Sequence, residues 1–435
     1  MVLDSGDTAW MLVAGSLVLL MIPALGLFES GLLRKKNTAS IFMQIFFGLA
    51  LLSVMWFVFG FSVSFGPDTM GLVGNMDWVF LKGIPYDAPL ERYAPTIPGV
   101  LFVKFQLMFA AITPLLLTGA IAERMKFSSF IIFIAAWSML IYYPLVHWIW
   151  GGGWLADLGV VDFAGGIVIH TSVGMAALAA ALVLGRRRHY GPAIMIPHSI
   201  PLAVLGSSLL WLGWFGFNAG SALSSSGVAG NTVIVTHMAS SVSALIWAGL
   251  SWIRTGKPSV VATINGAIAG LAGITPASGF VSVEHSFIIG IAIGVISYSG
   301  VVLFKEKLKI DDALDVSSVH GVAGIVGSIA IGIFASTAIN PGGVNGLLFG
   351  NPDQLWIQAV GVGVAGAMGF GGTWIILQII KHLIGIRVSP EVEDAGLDIS
   401  EHAESAYSEE EEFKLDMDTY TDNLRDNDEI LRRKK

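Results

Sequence analysis

The sequence contains no cysteine and few charged residues. Only 13% of its 435 residues are charged, against roughly 25% in a soluble globular domain. The lack of cysteine excludes a disulfide framework, a thiol nucleophile and a cysteine-based metal or iron–sulfur site. The chain also has no cluster of lysine and arginine with interleaved aromatic residues, the pattern typical of nucleic-acid binding. The low charge indicates that lipid, rather than water, is the main solvent of the chain.

Hydrophobic residues, by contrast, make up 54% of the chain, which also contains 52 glycines. The net charge of -8 is unevenly distributed. From Val388 onward there are 16 acidic and 6 basic residues, which leaves 16 acidic and 18 basic residues in the rest of the chain. We therefore predict a near-neutral transmembrane domain over residues 1–387 and an acidic tail over 388–435. The run 408–431 is most simply a disordered, solvated segment, and a partner-binding or gating role is the alternative.

Apolar windows of about 17 to 25 residues, long enough to cross a membrane core of roughly 30 Å, recur along the chain. The first window is too long for a signal peptide and has no small-residue cleavage site, so we expect it to be retained. The windows predict an all-α polytopic membrane protein with eleven transmembrane helices. The predicted spans are 10–33, 40–64, 99–122, 127–149, 162–184, 196–220, 230–252, 259–275, 286–304, 316–335 and 354–384.

Basic residues are concentrated in alternate short loops, which predicts that those loops are cytoplasmic. The opposite loops contain only Lys82 and Arg92. The N-terminus is therefore expected outside the cell membrane and the acidic tail inside. The loops with basic residues contain Arg34, Lys35 and Lys36; Arg124 and Lys126; Arg186, Arg187 and Arg188; Arg254 and Lys257; and Lys305, Lys307 and Lys309.

The first five spans resemble the next five, which predicts two inverted repeats. Repeat one covers about 10–184, repeat two about 196–335, and a final eleventh helix about 354–384. Because five is odd, the two repeats cross the membrane in opposite senses. The matching pairs are Ile112-Thr113-Pro114 with Ile274-Thr275-Pro276, Phe28-Glu29-Ser30-Gly31 with Phe217-Asn218-Ala219-Gly220, and Asp162 and His170 with Asp315 and His320.

His170 and His320 are ionisable residues inside apolar spans, where such side chains normally face a cavity or a partner. At 1.5 Å per residue, His170 lies about 12 Å below Asp162 and His320 about 7 to 8 Å above Asp315, so both approach the middle of the bilayer. Adjacent imidazoles can share a proton and present polar edges to a small solute. The alternative is two core histidines bonded to carbonyl groups. No third ligand lies at membrane depth, so we expect neither a metal site nor a cofactor.

Three tryptophans, Trp148, Trp150 and Trp154, stand at the outer end of span four. They indicate either an interfacial aromatic belt or a cup that binds a cation against an indole face, worth up to roughly 2 kcal/mol. Phe217 and Ser221 end span six on the same side.

Asp162 follows these tryptophans and precedes His170. Its carboxylate either ligates a cation or caps the N-terminus of span five. We favour the cap, with an indirect electrostatic role in recruiting a cation. Asp315 occupies the mirrored position in our alignment of the repeats, which supports the cap.

Five segments together resemble the ammonium transporter family (Amt, Mep and Rh proteins), and the likeness covers about residues 8–407. They are residues 104–124, 144–174, 211–222, 315–327 and the tail segment 396–407. The resemblance implies a homotrimer with one pore through each subunit and an ammonium substrate, with methylammonium as a possible analogue. It also implies that a PII-type regulatory protein binds the cytoplasmic face.

The same resemblance assigns roles to individual residues. Trp150, Ser221 and Phe109 form an outer ammonium site, with Asp162 needed for recruitment. Phe109 and Phe217 form a gate. His170, His320, Trp214 and Thr275 belong to the pore.

Two features depart from the family pattern. Glu29-Ser30 stands where many members have Tyr-Gly, and the tail continues past Tyr407 with Glu409 to Glu412. The first departure leaves the pore motifs intact, whereas the second bears on how a regulatory protein docks.

The sequence predicts an electrogenic transporter that takes up ammonium and deprotonates it, with a sensor of the same fold and little flux as the alternative. A transporter for another organic cation would need an additional buried carboxylate, and only Glu29 is a candidate. Without paired carboxylates or an activated nucleophile, we do not expect an enzyme.

Overall fold

The computed structural model describes residues 2–191 and 196–407, and the architecture of these residues is mainly helical. Ten helices are long and apolar enough to cross a membrane, and an eleventh, α8, is shorter. The predicted all-α polytopic membrane fold is confirmed. The helices are α1 Ser5–Leu32, α2 Lys35–Phe65, α3 Gly99–Ile121, α4 Phe127–Leu158, α5 Gly166–Leu184, α6 Ile200–Gly220, α7 Gly227–Thr255, α8 Val260–Ile274, α9 Val283–Lys307, α10 Ser317–Phe334 and α11 Asp353–Leu383.

Helix α8 has 15 residues and corresponds to the predicted span 259–275. It ends at Ile274, directly before Thr275-Pro276. Thr275 still has helical backbone angles, and Pro276 after it has no backbone N–H to donate to a helical carbonyl.

Serine residues cap the N-termini of four of these eleven helices. The hydroxyl groups of Ser199, Ser226, Ser259 and Ser282 each accept a hydrogen bond from the backbone amide three residues later. These caps satisfy amide groups that have no partner within the helix. Satisfying them locally matters most near lipid, where water is scarce.

Two pairs of helices that correspond in the two repeats pack against each other. Helix α1 runs along α6, where Gly206 of α6 contacts the backbone of Phe28. Helix α5 meets α10 where Gly174 contacts Gly321, and a Cβ atom on Gly174 would overlap the backbone of Gly321. Small residues allow such close approach between helices in a membrane. The α5–α10 contact brings the segments that carry the two histidines together.

Between α2 and α3, an outer segment forms two short antiparallel hairpins. Strand β1 (Asp68–Thr69) pairs with β2 (Val73–Gly74), and β3 (Pro89–Leu90) pairs with β4 (Ala94–Pro98).

The tail folds back on the inner loops as two short helices, α12 (Pro390–Ala395) and α13 (Leu397–His402). The Glu393 carboxylate accepts a hydrogen bond from the backbone amide of Arg188 at 2.5 Å. The Asp398 carboxylate accepts one from the amide of Ser40 at 2.8 Å. The first part of the acidic tail is therefore tied to the helical body, whereas the run 408–431 lies outside the described residues.

Candidate functional site

The two histidines meet in the middle of the molecule, as the sequence predicted. The Nδ1 atoms of His170 and His320 lie 3.2 Å apart, and the ring centroids lie 5.3 Å apart. Both residues sit in π-helical turns, Gly166–Thr171 and Ser317–Val322, a conformation often found at functional sites. One Nδ1 must donate and the other accept, so a single proton lies between the rings.

A small cavity of about 20 Å³ adjoins the histidine pair. A cavity of roughly 10 to 15 Å³ is enough for one water molecule, so this space admits one small polar molecule at a time. The Nε2 atom of His170 is buried and has no hydrogen-bond partner among the described residues. Apolar side chains form most of the wall, which consists of Met21, Leu25, Phe28, Ile112, Leu116, Ile169, His170, Leu210, Trp214, Phe217, Ile268 and His320.

Two phenylalanine rings separate this central cavity from a larger cavity on the side of the molecule predicted to face outward. Phe109 of α3 meets Phe217 of α6 edge to face, with ring centroids 4.5 Å apart. Phe217 also stacks on His170, at a centroid distance of 6.1 Å. The pair predicted as a gate is therefore in contact directly above the histidines.

An outer cavity of about 310 Å³ lies beyond the phenylalanine pair. Phe109, Trp150, Asp162 and Ser221, the residues predicted to recruit ammonium, all line it. The Ser221 hydroxyl donates to the carbonyl of Phe217 at 2.9 Å. Its oxygen lone pairs thus remain available to accept a hydrogen bond from a cation.

Trp150 is fixed at this cavity by its indole nitrogen. Nε1 donates to the backbone carbonyl of Asp162 at 2.8 Å. By contrast, Trp148 donates to the carbonyl of Leu72 and packs on Trp154. Of the three tryptophans considered from the sequence, only Trp150 lines the outer cavity.

The carboxylate of Asp162 caps α5, as favoured from the sequence. Its two oxygens accept hydrogen bonds from the four consecutive backbone amides of residues 165 to 168, at 2.7 to 3.0 Å. The side chain thus orders the turn that carries His170. Its part in ammonium recruitment remains a prediction.

The mirrored aspartate, however, is Asp312 rather than Asp315, so our alignment of the repeats was wrong here. Asp312 precedes His320 by eight residues, just as Asp162 precedes His170, and accepts from the amide and hydroxyl of Ser317 at 2.6 Å. Asp315 instead forms an ion pair with Lys305 at 2.9 Å. Burial, together with repulsion from Asp315, raises the pKa of Asp312 to about 6.

Trp214 and Thr275 form one hydrogen-bonded unit beside the pore. The Trp214 indole donates to the Thr275 hydroxyl at 3.0 Å and stacks on His170 at a centroid distance of 5.6 Å. Trp214 lines the central cavity, whereas Thr275 lies behind it and holds the indole in place.

An inner cavity of about 250 Å³ opens on the opposite side of the histidine pair. Its wall contains a buried network in which Arg187 bridges Glu123 at 2.9 Å and Asp311 at 2.7 Å. Burial alone would raise the pKa of Glu123, but Arg187 and Arg34 hold it below its usual value. The inner cavity is therefore charged, whereas the central cavity is largely apolar.

Glu29 is buried at the inner end of α1. Its carboxylate accepts from the Thr118 hydroxyl at 2.6 Å. It does not line the outer, central or inner cavity described above. Glu29, the one candidate for an additional transport carboxylate, thus lies outside these cavities and links α1 to α3.

Several residues of the site were missed from the sequence. Tyr93 and Gln106 contribute polar groups to the outer cavity, and Phe163 and Phe280 contribute aromatic surface. Gln106 precedes Phe109 by three residues on one helix, so helical spacing would have placed both on one face. Tyr93 belongs to the outer segment, whose folding over the cavity has no comparable signal in the sequence.

Comparison with known proteins assigns the chain to a family. Residues 9–407 match the model of the Ammonium Transporter Family. This chain belongs to the ammonium transporter family. The resemblance stated from the sequence is thereby confirmed.

Relatives of this ammonium transporter family member span nearly its whole length. Ammonium transporter 1 of Dictyostelium discoideum is 52% identical over 408 residues, covering 93% of this chain and 88% of the relative. Ammonium transporter Amt1 of Archaeoglobus fulgidus is 44% identical over 406 residues, covering 93% of this chain and 100% of the relative.

Solved structures of the same fold include two with different functional descriptions. Saccharomyces cerevisiae Mep2 has a TM-score of 0.84 at 34% identity, covering 89% of this chain and 88% of Mep2. A protein described as a sensor Amt protein has a TM-score of 0.84 at 32% identity, covering 91% of this chain and 98% of the sensor.

Proposed function

We propose that this chain takes up ammonium across the cell membrane through the pore that contains His170 and His320, and that the ion is deprotonated on the way. The observation that carries the proposal is the histidine contact of 3.2 Å beside a cavity for one small molecule. Family membership supports the choice of substrate.

Transport begins at the outer cavity. The Trp150 face attracts the ammonium ion by a cation–π contact, and the Ser221 oxygen and the Phe109 edge complete the site. Asp162 acts indirectly, because its carboxylate is bonded to the α5 amides and its backbone carbonyl holds the Trp150 indole.

The ion loses its proton before or at the gate formed by Phe109 and Phe217. A bare cation in an apolar cavity loses hydration energy on the order of tens of kcal/mol, whereas neutral ammonia loses far less. Ammonia then passes the histidine pair, and the proton moves along the shared Nδ1 contact. Because one charge crosses for each ammonia, transport is electrogenic.

Ammonium-evoked current from protein reconstituted in proteoliposomes tests this mechanism. His170→Ala and His320→Ala, made singly, each remove the partner needed for the shared proton, so we expect the current to fall at least tenfold. Thermal unfolding of each purified variant in detergent controls for correct folding. If both folded variants carried wild-type current, the proton relay would be wrong.

A sensor with little flux is the second candidate, because a sensor Amt protein shares the fold. The two functions differ in turnover. We expect robust ammonium current from the full chain and from a variant that lacks residues 388–435. Saturable ammonium binding without measurable current in either protein would instead favour the sensor.

We further propose that the protein assembles as a homotrimer, with the N-terminus outside and the C-terminus cytoplasmic. A PII-type protein is the proposed regulator at the cytoplasmic face. The alternating basic loops support this orientation. Cross-linking of purified protein and accessibility labelling of each terminus in intact cells test the two structural points.

A further inference from the structure

His147 lies beneath the outer cavity, and both nitrogens of its ring contact acceptor oxygens. Nδ1 is 3.0 Å from the backbone carbonyl oxygen of Ser64, and Nε2 is 2.8 Å from the Asp68 carboxylate. The ring is therefore held between an oxygen of helix α2 and the carboxylate of the outer segment.

The contact with Asp68 is a short hydrogen bond between a buried ring and a partly exposed carboxylate. The hydrogen bond from His147 holds the pKa of Asp68 below its usual value, so the carboxyl group is ionised. The imidazole is completely buried, whereas the Asp68 side chain is 36% exposed at the outer surface. The pair therefore links α4, just before the turn at residues 150–153 that interrupts it, to the outer segment between α2 and α3.

His147 also lies at the base of the turn that presents Trp150. The Val146 carbonyl accepts from the amides of Trp150 at 2.7 Å and Gly151 at 3.0 Å, and the His147 carbonyl accepts from Gly153 at 2.9 Å. A Cβ atom on Gly151 would overlap the Ser64 carbonyl and the His147 ring. The turn thus rests directly on the imidazole, with no room to shift toward it.

The outer segment also donates hydrogen bonds to the same turn. The Gly151 carbonyl accepts from the Arg92 guanidinium at 3.2 Å and from the Tyr93 hydroxyl at 3.1 Å. Arg92 also attracts the Asp68 carboxylate. Asp68, Arg92 and His147 thus all help to hold the turn to the outer segment.

We infer that His147 and Asp68 are positioning residues for ammonium, because their hydrogen bond fixes the 150–153 turn and hence the Trp150 indole at the outer cavity. Neither residue lines that cavity, so both act through Trp150. The inference rests on the proposed function, in which Trp150 binds the ion. It implies that the outer segment between α2 and α3 also helps to set the affinity for ammonium.

Asp68→Ala tests the pair. The variant leaves the buried imidazole without its hydrogen-bond partner at Nε2 and frees the turn, so the indole face is no longer held for the cation. We expect the KM of methylammonium-evoked current to rise about five- to thirtyfold, which corresponds to losing a contact of 1 to 2 kcal/mol. We expect the maximal current per folded protein to stay within about twofold, because the gate and the histidines are untouched.

Two further variants calibrate this result. Asp68→Asn keeps an acceptor for His147 but removes the charge, so we expect a smaller rise in KM of about two- to fivefold. Asp87→Ala is the matched control, since Asp87 is an exposed aspartate of the same outer segment. We expect its KM to equal that of wild type.

A double-mutant cycle separates positioning through Trp150 from a general loss of structure. If Asp68 acts through the indole, Asp68→Ala adds nothing further to KM once Trp150→Leu is present. Additive effects, or an unchanged KM in Asp68→Ala, would overturn the inference. If Asp68→Ala failed to fold, an unchanged KM in folded Asp68→Asn would do so as well.

The proposed transport function can fail separately. Calorimetric binding of methylammonium to the purified full-length protein reports affinity without flux. Wild-type protein that binds methylammonium but carries no current would contradict transport, and the same comparison of Asp68→Ala with Asp87→Ala would still test the positioning pair through the dissociation constant.

Discussion

Trp148 and Trp150 are two residues apart at the outer end of α4, yet their indoles have different surroundings. Trp150 lines the outer cavity and is anchored to Asp162. Trp148 is anchored to Leu72 and packs on Trp154. Only the first of these rings lines the cavity proposed to bind ammonium.

Replacing each indole in turn should therefore have different effects. Trp150→Leu removes the cation–π contact, so we expect the KM for methylammonium to rise about five- to thirtyfold. Trp148→Leu is the control and should leave KM within about twofold of wild type. The measurement is the concentration dependence of the current in proteoliposomes, and equal effects of both substitutions would refute the assignment.

Residues of the site were predictable where they broke a local pattern. His170 and His320 stood out as ionisable groups in apolar spans, and the inverted order of the helices placed both at the same depth. The choice of Asp315 was wrong because our alignment of the repeats did not require the same eight-residue spacing between aspartate and histidine in both. His147 and Asp68 are 79 residues apart, and only the folding of the outer segment brings them together.

Within single elements, the caps of α5 and α10 differ in their electrostatics. Asp162 accepts from four amides, whereas Asp312 accepts from one amide and one hydroxyl and lies near Asp315. Burial, followed by repulsion from Asp315, raises the pKa of Asp312 from 3.8 to about 6. The carboxyl group of Asp312, which caps α10, therefore loses its proton only as the pH rises through about 6.

This shift gives a testable pH dependence of stability. The folded state holds the Asp312 proton more tightly than the unfolded state, so its stabilising contribution is complete below about pH 4 and is lost as the pH rises through about 6. Two pKa units correspond to about 3 kcal/mol at most. The asparagine side chain in Asp312→Asn does not titrate. As the pH is raised from 5 to 7.5 in detergent, the melting temperature of this variant should therefore rise relative to that of wild type.

Asp87→Asn serves as the control for that comparison, because Asp87 is exposed. Its melting temperature should follow the wild-type pH dependence throughout. Parallel pH profiles for Asp312→Asn and wild type would show that the α10 cap does not titrate in this range.

The contact between α5 and α10 makes a second prediction at this scale. A Cβ atom at Gly174 would overlap the backbone of Gly321, so Gly174→Ala should destabilise the protein by about 1 to 3 kcal/mol and separate the histidine turns. Gly230→Ala is the matched control, since nothing lies within 4 Å of a Cβ there. Thermal unfolding together with ammonium current measures both effects, and equal stability of the two variants would contradict the close contact.

The elements themselves were largely predictable from hydropathy, because crossing a membrane requires long apolar helices. The end of α8 and the π-helical turns were not predicted. Both depend on local backbone preferences and on contacts with other helices. The Ile-Thr-Pro motif illustrates this, since α8 ends before its proline whereas α3 continues through Pro114.

At the scale of the whole molecule, the described part of the tail is joined to the inner loops by polar contacts. Glu393 of α12 is buried and binds both the Arg188 amide and the Arg387 guanidinium, the latter at 2.7 Å. Asp398 of α13 binds Ser40 at the start of α2. The acidic composition of the tail indicated solvation, but it gave no sign of these specific contacts.

Glu393→Ala should therefore loosen the tail. The variant leaves Arg188 and Arg387 without their shared acceptor, which should cost about 1 to 3 kcal/mol. We expect a lower melting temperature and faster proteolysis between residues 388 and 407. Glu391→Ala is the control, since Glu391 is exposed on the same short helix, and it should behave as wild type. Equal proteolysis of the two variants would argue against an anchoring role for Glu393.

The antiparallel relation between α5 and α10 also bears on directionality. At the centre of the pore, an imidazole reached from one membrane face meets an equivalent imidazole reached from the other, and each turn is capped by an aspartate eight residues upstream. On the proposed mechanism, this near-symmetric centre favours neither direction of transport. We therefore expect any preferred direction to come from the two unlike cavities on either side of it, one lined by aromatic side chains and the other charged, and from the gradients across the membrane.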